Sequence, residues 1–322
     1  MIGDPYRAPW WLPGAHAQTI VPALWVPVPA VAYRRERWTT PDGDFIDVDF
    51  ALPEPAVPAA PVLVLFHGLE GSSRSHYALS TMRFFADRGW RALVVHFRGC
   101  SGEPNLRPRA YHSGDADEGD WILRRAFDRW PAAPLHAVGV SLGGNMLAKW
   151  AGERDEGARF VRAAASIGSP LDLVAGGFAL GRGLNMIYTR MFLATLRRKA
   201  LEKMLRFPGI ASEARLRDAR NLYDFDNEFT APVHGFRDTI DYWTRASAKP
   251  VLAGIRIPYL LLNARNDPFV PAASLPTAAD VSRHVVLEQP GGGGHIGFAQ
   301  GSLPGDLDYL PRRLHAFFTA VG

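Results

Sequence analysis

Three side chains far apart in the sequence are of the types that together activate a hydroxyl group: Ser141, Asp267 and His295. Ser141 stands in Gly139-Val140-Ser141-Leu142-Gly143, between an apolar run and a segment of helical composition. A serine on such a sharp strand-to-helix turn projects its hydroxyl clear of the backbone, and the turn closes only if its neighbours are small. The hydroxyl is a weak nucleophile near neutral pH, so it needs a base and a group that orients the base. His295 lies in Pro290-Gly291-Gly292-Gly293-Gly294-His295-Ile296-Gly297, where glycines let the loop carry an imidazole over the serine. Asp267 follows another apolar run, in Asn263-Ala264-Arg265-Asn266-Asp267-Pro268-Phe269. The chemistry these types imply is acyl transfer: Ser141 attacks a carbonyl carbon, His295 takes its proton, and Asp267 fixes the tautomer and stabilises the imidazolium. Each residue also has a plainer explanation, namely a tight turn for the pentapeptide, an Asx turn before Pro268 for Asp267 and a loop histidine for His295. Their occurrence together, in the order Ser, Asp, His and each after a strand, favours the catalytic one.

Attack on a carbonyl creates an oxyanion, which requires N–H donors. The Leu142 N–H, at the start of a helix, is one candidate. The other is the Leu69 N–H, in the loop His67-Gly68-Leu69-Glu70-Gly71-Ser72-Ser73 after the first parallel strand. His67 is assigned a structural role, shaping this loop and bonding to backbone.

Elements must bring these residues together. A hairpin joins Tyr33 to Thr40 with Phe45 to Leu52 through Pro41-Asp42-Gly43, and Ile46, Val48 and Phe50 alternate with Asp47 and Asp49 as in half-buried, edge-like antiparallel strands. Val62 to Phe66 is a continuous apolar run, predicted as a buried parallel strand. Helices are predicted over Tyr77 to Asp87, Ala116 to Trp130, Gly143 to Gly152 and Leu307 to Thr319. Strands are predicted over Ala92 to Phe97, Leu135 to Val140, Ala163 to Ile167, Tyr259 to Asn263 and His284 to Leu287. Strand alternating with helix implies a parallel sheet, with active-site groups collecting at the strands' carboxyl ends. Between Pro170 and Arg256 the alternation stops and the chain turns helical, so the expected organisation is a core domain of residues 1–170 and 257–322 with a helical cap, or lid, at 171–256.

Composition narrows the partners. The 322 residues are 47% hydrophobic and 21% charged, as in soluble globular proteins. The net charge of +4 is spread along the chain apart from Arg197, Arg198, Lys199, Lys203 and Arg206, which argues against nucleic acid as a partner. A single cysteine, Cys100, excludes an intramolecular disulfide and fits a reducing, cytoplasmic compartment; its expected role is packing. The apolar stretch from Ile20 to Ala32 is interrupted by Pro22, Pro27 and Pro29, which fits a secretory leader poorly. With no apolar run near 18 residues, no stable membrane insertion is predicted. Leu184, Ile187, Tyr188, Met191 and Leu196 are expected to share the apolar side of a lid helix, with peripheral lipid contact through the cap as the second reading. No cofactor or metal is expected: His and Cys lack ligand spacing, and Gly291 to Gly294 neither matches a P-loop nor opens a helix.

Five motifs in order, His67-Gly68-Leu69-Glu70-Gly71-Ser72, Arg98-Gly99-Cys100-Ser101-Gly102, Gly139 to Asn145, Asn266-Asp267-Pro268-Phe269 and Gly294-His295-Ile296-Gly297-Phe298, resemble the YheT-like branch of the α/β-hydrolase superfamily. So does the lead-in Trp11 to Thr19. The resemblance spans nearly the whole chain. It implies an α/β-hydrolase fold, with a mostly parallel central sheet, helices on both faces and a helical cap insertion. It also implies hydrolysis of carboxylic esters of short or medium acyl chains, a small-molecule ester being the partner. Alcohol acyltransferase or glycerolipid lipase activity would use the same triad. A non-catalytic receptor of the same fold would be expected to have lost one of the three residues.

Overall fold

The computed structural model describes residues 6–321. Eight strands, β1 (Tyr33–Thr39), β2 (Phe45–Ala51), β3 (Val62–Phe66), β4 (Arg91–His96), β5 (Leu135–Val140), β6 (Ala163–Ile167), β7 (Tyr259–Leu262) and β8 (Val285–Glu288), form one sheet in the order β1-β2-β4-β3-β5-β6-β7-β8. The pairs β1–β2 and β2–β4 are antiparallel, and the other five pairs are parallel. The helices are α1 (Gly14–Leu24), α2 (His76–Ala86), α3 (Ala116–Arg129), α4 (Leu142–Arg154), α5 (Leu173–Leu180), α6 (Met186–Arg206), α7 (Glu213–Asp218), α8 (Leu222–Phe225), α9 (Ala231–Val233), α10 (Thr239–Ala246) and α11 (Tyr309–Ala320).

Successive strand side chains point to opposite faces, so a strand apolar at every position needs cover on both. In β3, Val62, Val64 and Phe66 enter one core cluster with residues of α3 and α4, while Leu63 and Leu65 enter another with residues of α2 and α11. Each such side chain removed from water contributes about 1.5–3 kcal/mol. The sheet is thereby held from both sides, and β5, which ends at Ser141, lies between β3 and β6 in its interior.

The hairpin departs from its sequence reading. β2 is an interior strand between β1 and β4, and all seven of its residues are buried. Asp47 and Asp49, expected on a solvent face, are only 2% and 3% exposed. Arginines on β1 cover them: Arg37 donates to both oxygens of Asp47 at 2.8 and 2.9 Å, and Arg35 to both oxygens of Asp49 at 2.6 and 2.8 Å. Alternating carboxylates mark an exposed face only where no neighbouring strand supplies the opposite charge; here the edge is β1.

Three further differences bear on the site. Helix α1 was not anticipated, because Pro13, Pro22, Pro27 and Pro29 mask its periodicity; Pro22 sits inside its last turn. The helical excursion after β6 also returns to the core earlier than Arg256, since Ala248, Leu252 and Ile255 pack in the same cluster as α4. Of the five apolar residues expected on one side of a lid helix, Leu184 lies in the turn before α6 and the other four are divided between two sides of it. Tyr188 is buried and Leu196 lines the interior, whereas Leu184, Ile187 and Met191 are 66%, 55% and 63% exposed. At 3.6 residues per turn, 188, 192, 196 and 199 follow one stripe of α6 and 187 and 191 the next. Among the described residues no helix is long and apolar enough to cross a membrane.

Candidate active site

The site begins where β5 ends. Ser141 has φ 51° and ψ −116°, a conformation an L residue holds only when its surroundings impose it. The two glycines of the pentapeptide show what imposes it. A Cβ on Gly139 would stand 2.5 Å from Gly144 Cα, and one on Gly143 would stand 2.6 Å from the carbonyl oxygens of both Phe66 and His67. The turn is thus pressed between the end of β3 and the first turn of α4, and only hydrogen fits at those positions. Asn145 anchors α4 from below, donating to Ser113 O and Ala246 O at 2.9 and 2.8 Å and accepting from Ala248 N–H at 3.0 Å.

The three residues singled out by type meet in space. Ser141 Oγ lies 3.1 Å from His295 Nε2, and His295 Nδ1 lies 2.8 Å from Asp267 Oδ2. With the ring proton on Nδ1, the histidine donates to the carboxylate and presents a lone pair to the serine hydroxyl. Asp267 fills two roles at once. Its Oδ1 accepts from Phe269 N–H at 2.8 Å, closing an Asx turn that spans Pro268, and its Oδ2 faces the imidazole. The side chains of Asp267 and His295 are 0% and 9% exposed, and the imidazole lies against the Phe269 ring with centroids 4.0 Å apart.

The loop that carries His295 is held by residues that sequence reasoning did not assign. From α1, Gln18 Oε1 accepts from Gly293 N–H at 2.7 Å and from Asn266 Nδ2 at 2.9 Å, and Thr19 Oγ1 accepts from His295 N–H at 2.9 Å. Asn266 in turn accepts from Gly294 N–H at 3.0 Å. One polar pair on α1 therefore ties together the loops bearing Asp267 and His295. The available signal was Gln18-Thr19 itself, two polar residues adjoining an apolar stretch. His76, at the start of α2, meets Ile296 O through Nε2 at 3.2 Å, and its burial pushes its pKa down to about 4, so it binds there as a neutral donor.

The turn after β3 faces the serine. A Cβ on Gly68 would lie 3.2 Å from Ser141 Cβ, and Gly68 N–H donates to Tyr77 OH at 2.9 Å. Among the described residues neither the Leu69 N–H nor the Leu142 N–H donates to another group, which leaves both for a ligand oxygen. His67 is fully buried, with Nδ1 2.7 Å from Gly68 O and Nε2 accepting from Phe97 N–H at 3.2 Å. Burial drives its pKa down to about 3, and with both nitrogens engaged it has none left for Ser141. Cys100, pushed up to about 12 by burial, keeps its proton and is no nucleophile.

A cavity of about 540 Å³ opens from Ser141 into the helical segment. Its walls include Leu173, Leu180, Phe192, Leu196, Phe229 and Trp243, which suit an apolar chain. Asp226 also lines it, accepting from Trp243 Nε1 at 2.8 Å and Thr230 Oγ1 at 2.6 Å; burial raises its pKa to about 6. Among the described residues no group of three or more His, Cys, Asp or Glu is placed to hold a metal ion.

Residues 61–302 match the family of the alpha/beta hydrolase fold. The chain is 36% identical to the candidate esterase YheT of Escherichia coli K12, over 94% of this chain and 90% of that one. It is 29% identical to the phospholipase ABHD3 of Mus musculus, over 100% of this chain and 80% of that one. Among solved structures, the esterase Pf2001 of Pyrococcus furiosus matches with a TM-score of 0.56 at 14% identity, over 90% of this chain and 93% of that one, a likeness of fold.

Proposed function

Because the chain belongs to the YheT-like branch of the α/β hydrolases, we propose that it is a serine carboxylester hydrolase acting on short- to medium-chain acyl esters through Ser141, His295 and Asp267. The observation that carries this reading is the unbroken line of hydrogen bonds from Asp267 through His295 to Ser141, at the mouth of an apolar cavity.

The cycle follows from the geometry. Ser141 Oγ attacks the ester carbonyl as His295 Nε2 takes its proton, and the resulting imidazolium is stabilised by Asp267. The carbonyl oxygen becomes an oxyanion between the Leu69 and Leu142 N–H groups, the second at the positive end of α4. Collapse returns the proton from His295 to the departing alcohol and leaves an acyl-Ser141. Water, deprotonated by the same histidine, then releases the acid. The helical segment over the cavity serves as a cap that holds the acyl chain, and the lone free Cys100 supports a reducing, cytoplasmic setting.

A panel of aryl esters of increasing acyl length, assayed with wild type and Ser141→Ala, tests the proposal. The expected result is a loss of at least about 10³-fold on every ester that wild type cleaves. Wild-type turnover by Ser141→Ala on any of them would refute it.

A second reading, a glycerolipid lipase or an alcohol acyltransferase on the same triad, is favoured by one feature of α6. Beside the exposed Leu184, Ile187 and Met191, the stretch Leu173 to Leu201 carries Arg182, Arg190, Arg197 and Arg198 and no acidic residue, Lys199 being turned inward to Glu70. That combination suits peripheral contact with an anionic lipid surface. Cosedimentation with phosphatidylglycerol vesicles, abolished in Leu184→Ser/Ile187→Ser/Met191→Ser, supports it; product analysis with added alcohol separates transfer from hydrolysis.

A further inference from the structure

The turn that offers the Leu69 N–H is built in an unfavourable way. Gly71 N–H donates to Gly68 O at 2.9 Å, closing a four-residue turn whose third residue, Glu70, has φ 55°. Turns of this kind usually place glycine or asparagine there, because a Cβ is strained at positive φ. A glutamate persists at such a place only if its side chain is held by something else.

Two partners hold it, and they come from different parts of the molecule. Tyr111, in the loop after β4, donates its OH to Glu70 Oε1 at 2.7 Å and accepts from Glu70 N–H at 3.0 Å. Its ring lies parallel to Phe97 with centroids 5.4 Å apart, so this partner is fixed to the core. The other is Lys199 of α6, whose Nζ reaches the same oxygen at 2.9 Å. The Glu70 side chain is 8% exposed, which makes the ion pair much less screened than one on the open surface. Lys199 follows Phe192 and Leu196 on the stripe of α6 that lines the cavity. The helix that lines the cavity is thus bonded to the residue next to the proposed oxyanion donor.

We propose that the Lys199–Glu70 pair is a positioning device that couples the seating of α6 over the substrate to the setting of the Leu69 N–H toward Ser141. It rests on the acyl-transfer reading above. When α6 is seated, Lys199 neutralises Glu70 and the turn holds its strained form with the Leu69 N–H directed at the developing oxyanion. When α6 lifts, Glu70 loses its counter-charge and the turn relaxes. Glu70 and Lys199 stand in the cavity wall but bond to none of Ser141, His295 and Asp267, so both act as positioning residues and their effect falls on the transition state rather than on ester binding.

The test uses the full chain with Lys199→Met, Lys199→Arg and Glu70→Gln, with Ser141→Ala as control. On a soluble aryl ester, Lys199→Met is expected to lower kcat about 10- to 100-fold with KM within about 3-fold, Lys199→Arg to retain at least a third of kcat, and Glu70→Gln to fall between. A trifluoromethyl ketone, which forms an oxyanionic adduct with Ser141, should bind more weakly in each variant by the same factor as its kcat falls, while the matched methyl ketone binds as before. Unchanged kcat in Lys199→Met or in Glu70→Gln overturns the proposal. So does a kcat loss that the trifluoromethyl ketone does not follow. If Lys199→Met melts early, Glu70→Gln and Lys199→Arg decide alone. Full activity in Ser141→Ala would instead remove the reading on which the device rests.

Discussion

The carboxyl rim of the sheet and the helical segment between β6 and β7 solve different problems with different packing. At the rim, the groups proposed to react sit on short connections whose backbone leaves no slack. Glycines touch carbonyl oxygens, Ser141 is strained, and Asp267 is bonded on both oxygens. The helical segment has two small clusters of its own and leaves Leu184, Ile187, Met191 and Leu205 open to solvent. Chemistry requires atoms fixed to fractions of an ångström, whereas enclosing an apolar chain requires only a greasy wall of adequate size. The rim should therefore respond to substitution in steps of orders of magnitude, and the helical segment, apart from the Lys199 contact to the rim, in modest, graded ones.

The largest expected effect is at Asp267. Asp267→Asn keeps an oxygen for Phe269 N–H but no longer enforces the imidazole tautomer, so kcat should fall about 10⁴-fold with little change in melting temperature. A loss under tenfold would show that the rim is less exacting than its geometry. Next is Gln18→Ala, which leaves the buried Gly293 N–H and the Asn266 amide without their acceptor. Unpaired buried donors cost about 1–3 kcal/mol each, so stability should drop by that order and kcat by about 10- to 100-fold. Denaturant titration and steady-state kinetics on one preparation check both.

These two residues also mark how far the sequence could be read. The place of Asp267 beside His295 was legible because the role proposed for it demands one residue type, after a strand, between a serine and a histidine. Ser141 and His295 were legible for the same reason, and the strands Leu135 to Val140 and Ala163 to Ile167 emerge with the predicted ends because short, mainly apolar runs between helical segments fit the interior of a parallel sheet. Gln18 was not legible. Its function depends on meeting a loop 275 residues away, and the prolines around it hid the helix that carries it. Asp47 and Asp49 misled for a related reason, since the arginines that bury them lie on another strand. In α6 apolar residues adjoin on both stripes, so composition alone could not say which side faces the cavity.

In the helical segment the effects should be smaller and continuous. The carboxyl of Asp226 has a folded pKa raised to about 6, above the ordinary aspartate value of about 4. Its favourable contribution is complete below pH 4 and is lost as pH rises through 6, because the native state must then carry an enclosed charge. Wild type should accordingly lose about 1–3 kcal/mol more than Asp226→Asn between pH 4 and pH 7, read from denaturant midpoints at both. An identical pH dependence in the two proteins would show that the cavity wall there is open to water. The smallest effect is expected from Leu196→Ala. The space it frees should shift the preferred acyl chain longer, by roughly 4-fold in kcat/KM per added methylene at about 0.8 kcal/mol each. A uniform loss across chain lengths would mean that Leu196 supports the fold rather than the substrate.

The most direct test of Ser141 as the nucleophile is to trap it. Intact-protein and peptide mass spectrometry after treatment with a fluorophosphonate should find one phosphonyl group per chain, on the peptide containing Ser141. Labelling should be absent in Ser141→Ala and slowed by orders of magnitude in His295→Gln. Stoichiometric labelling elsewhere, or undiminished labelling of Ser141→Ala, would contradict the account.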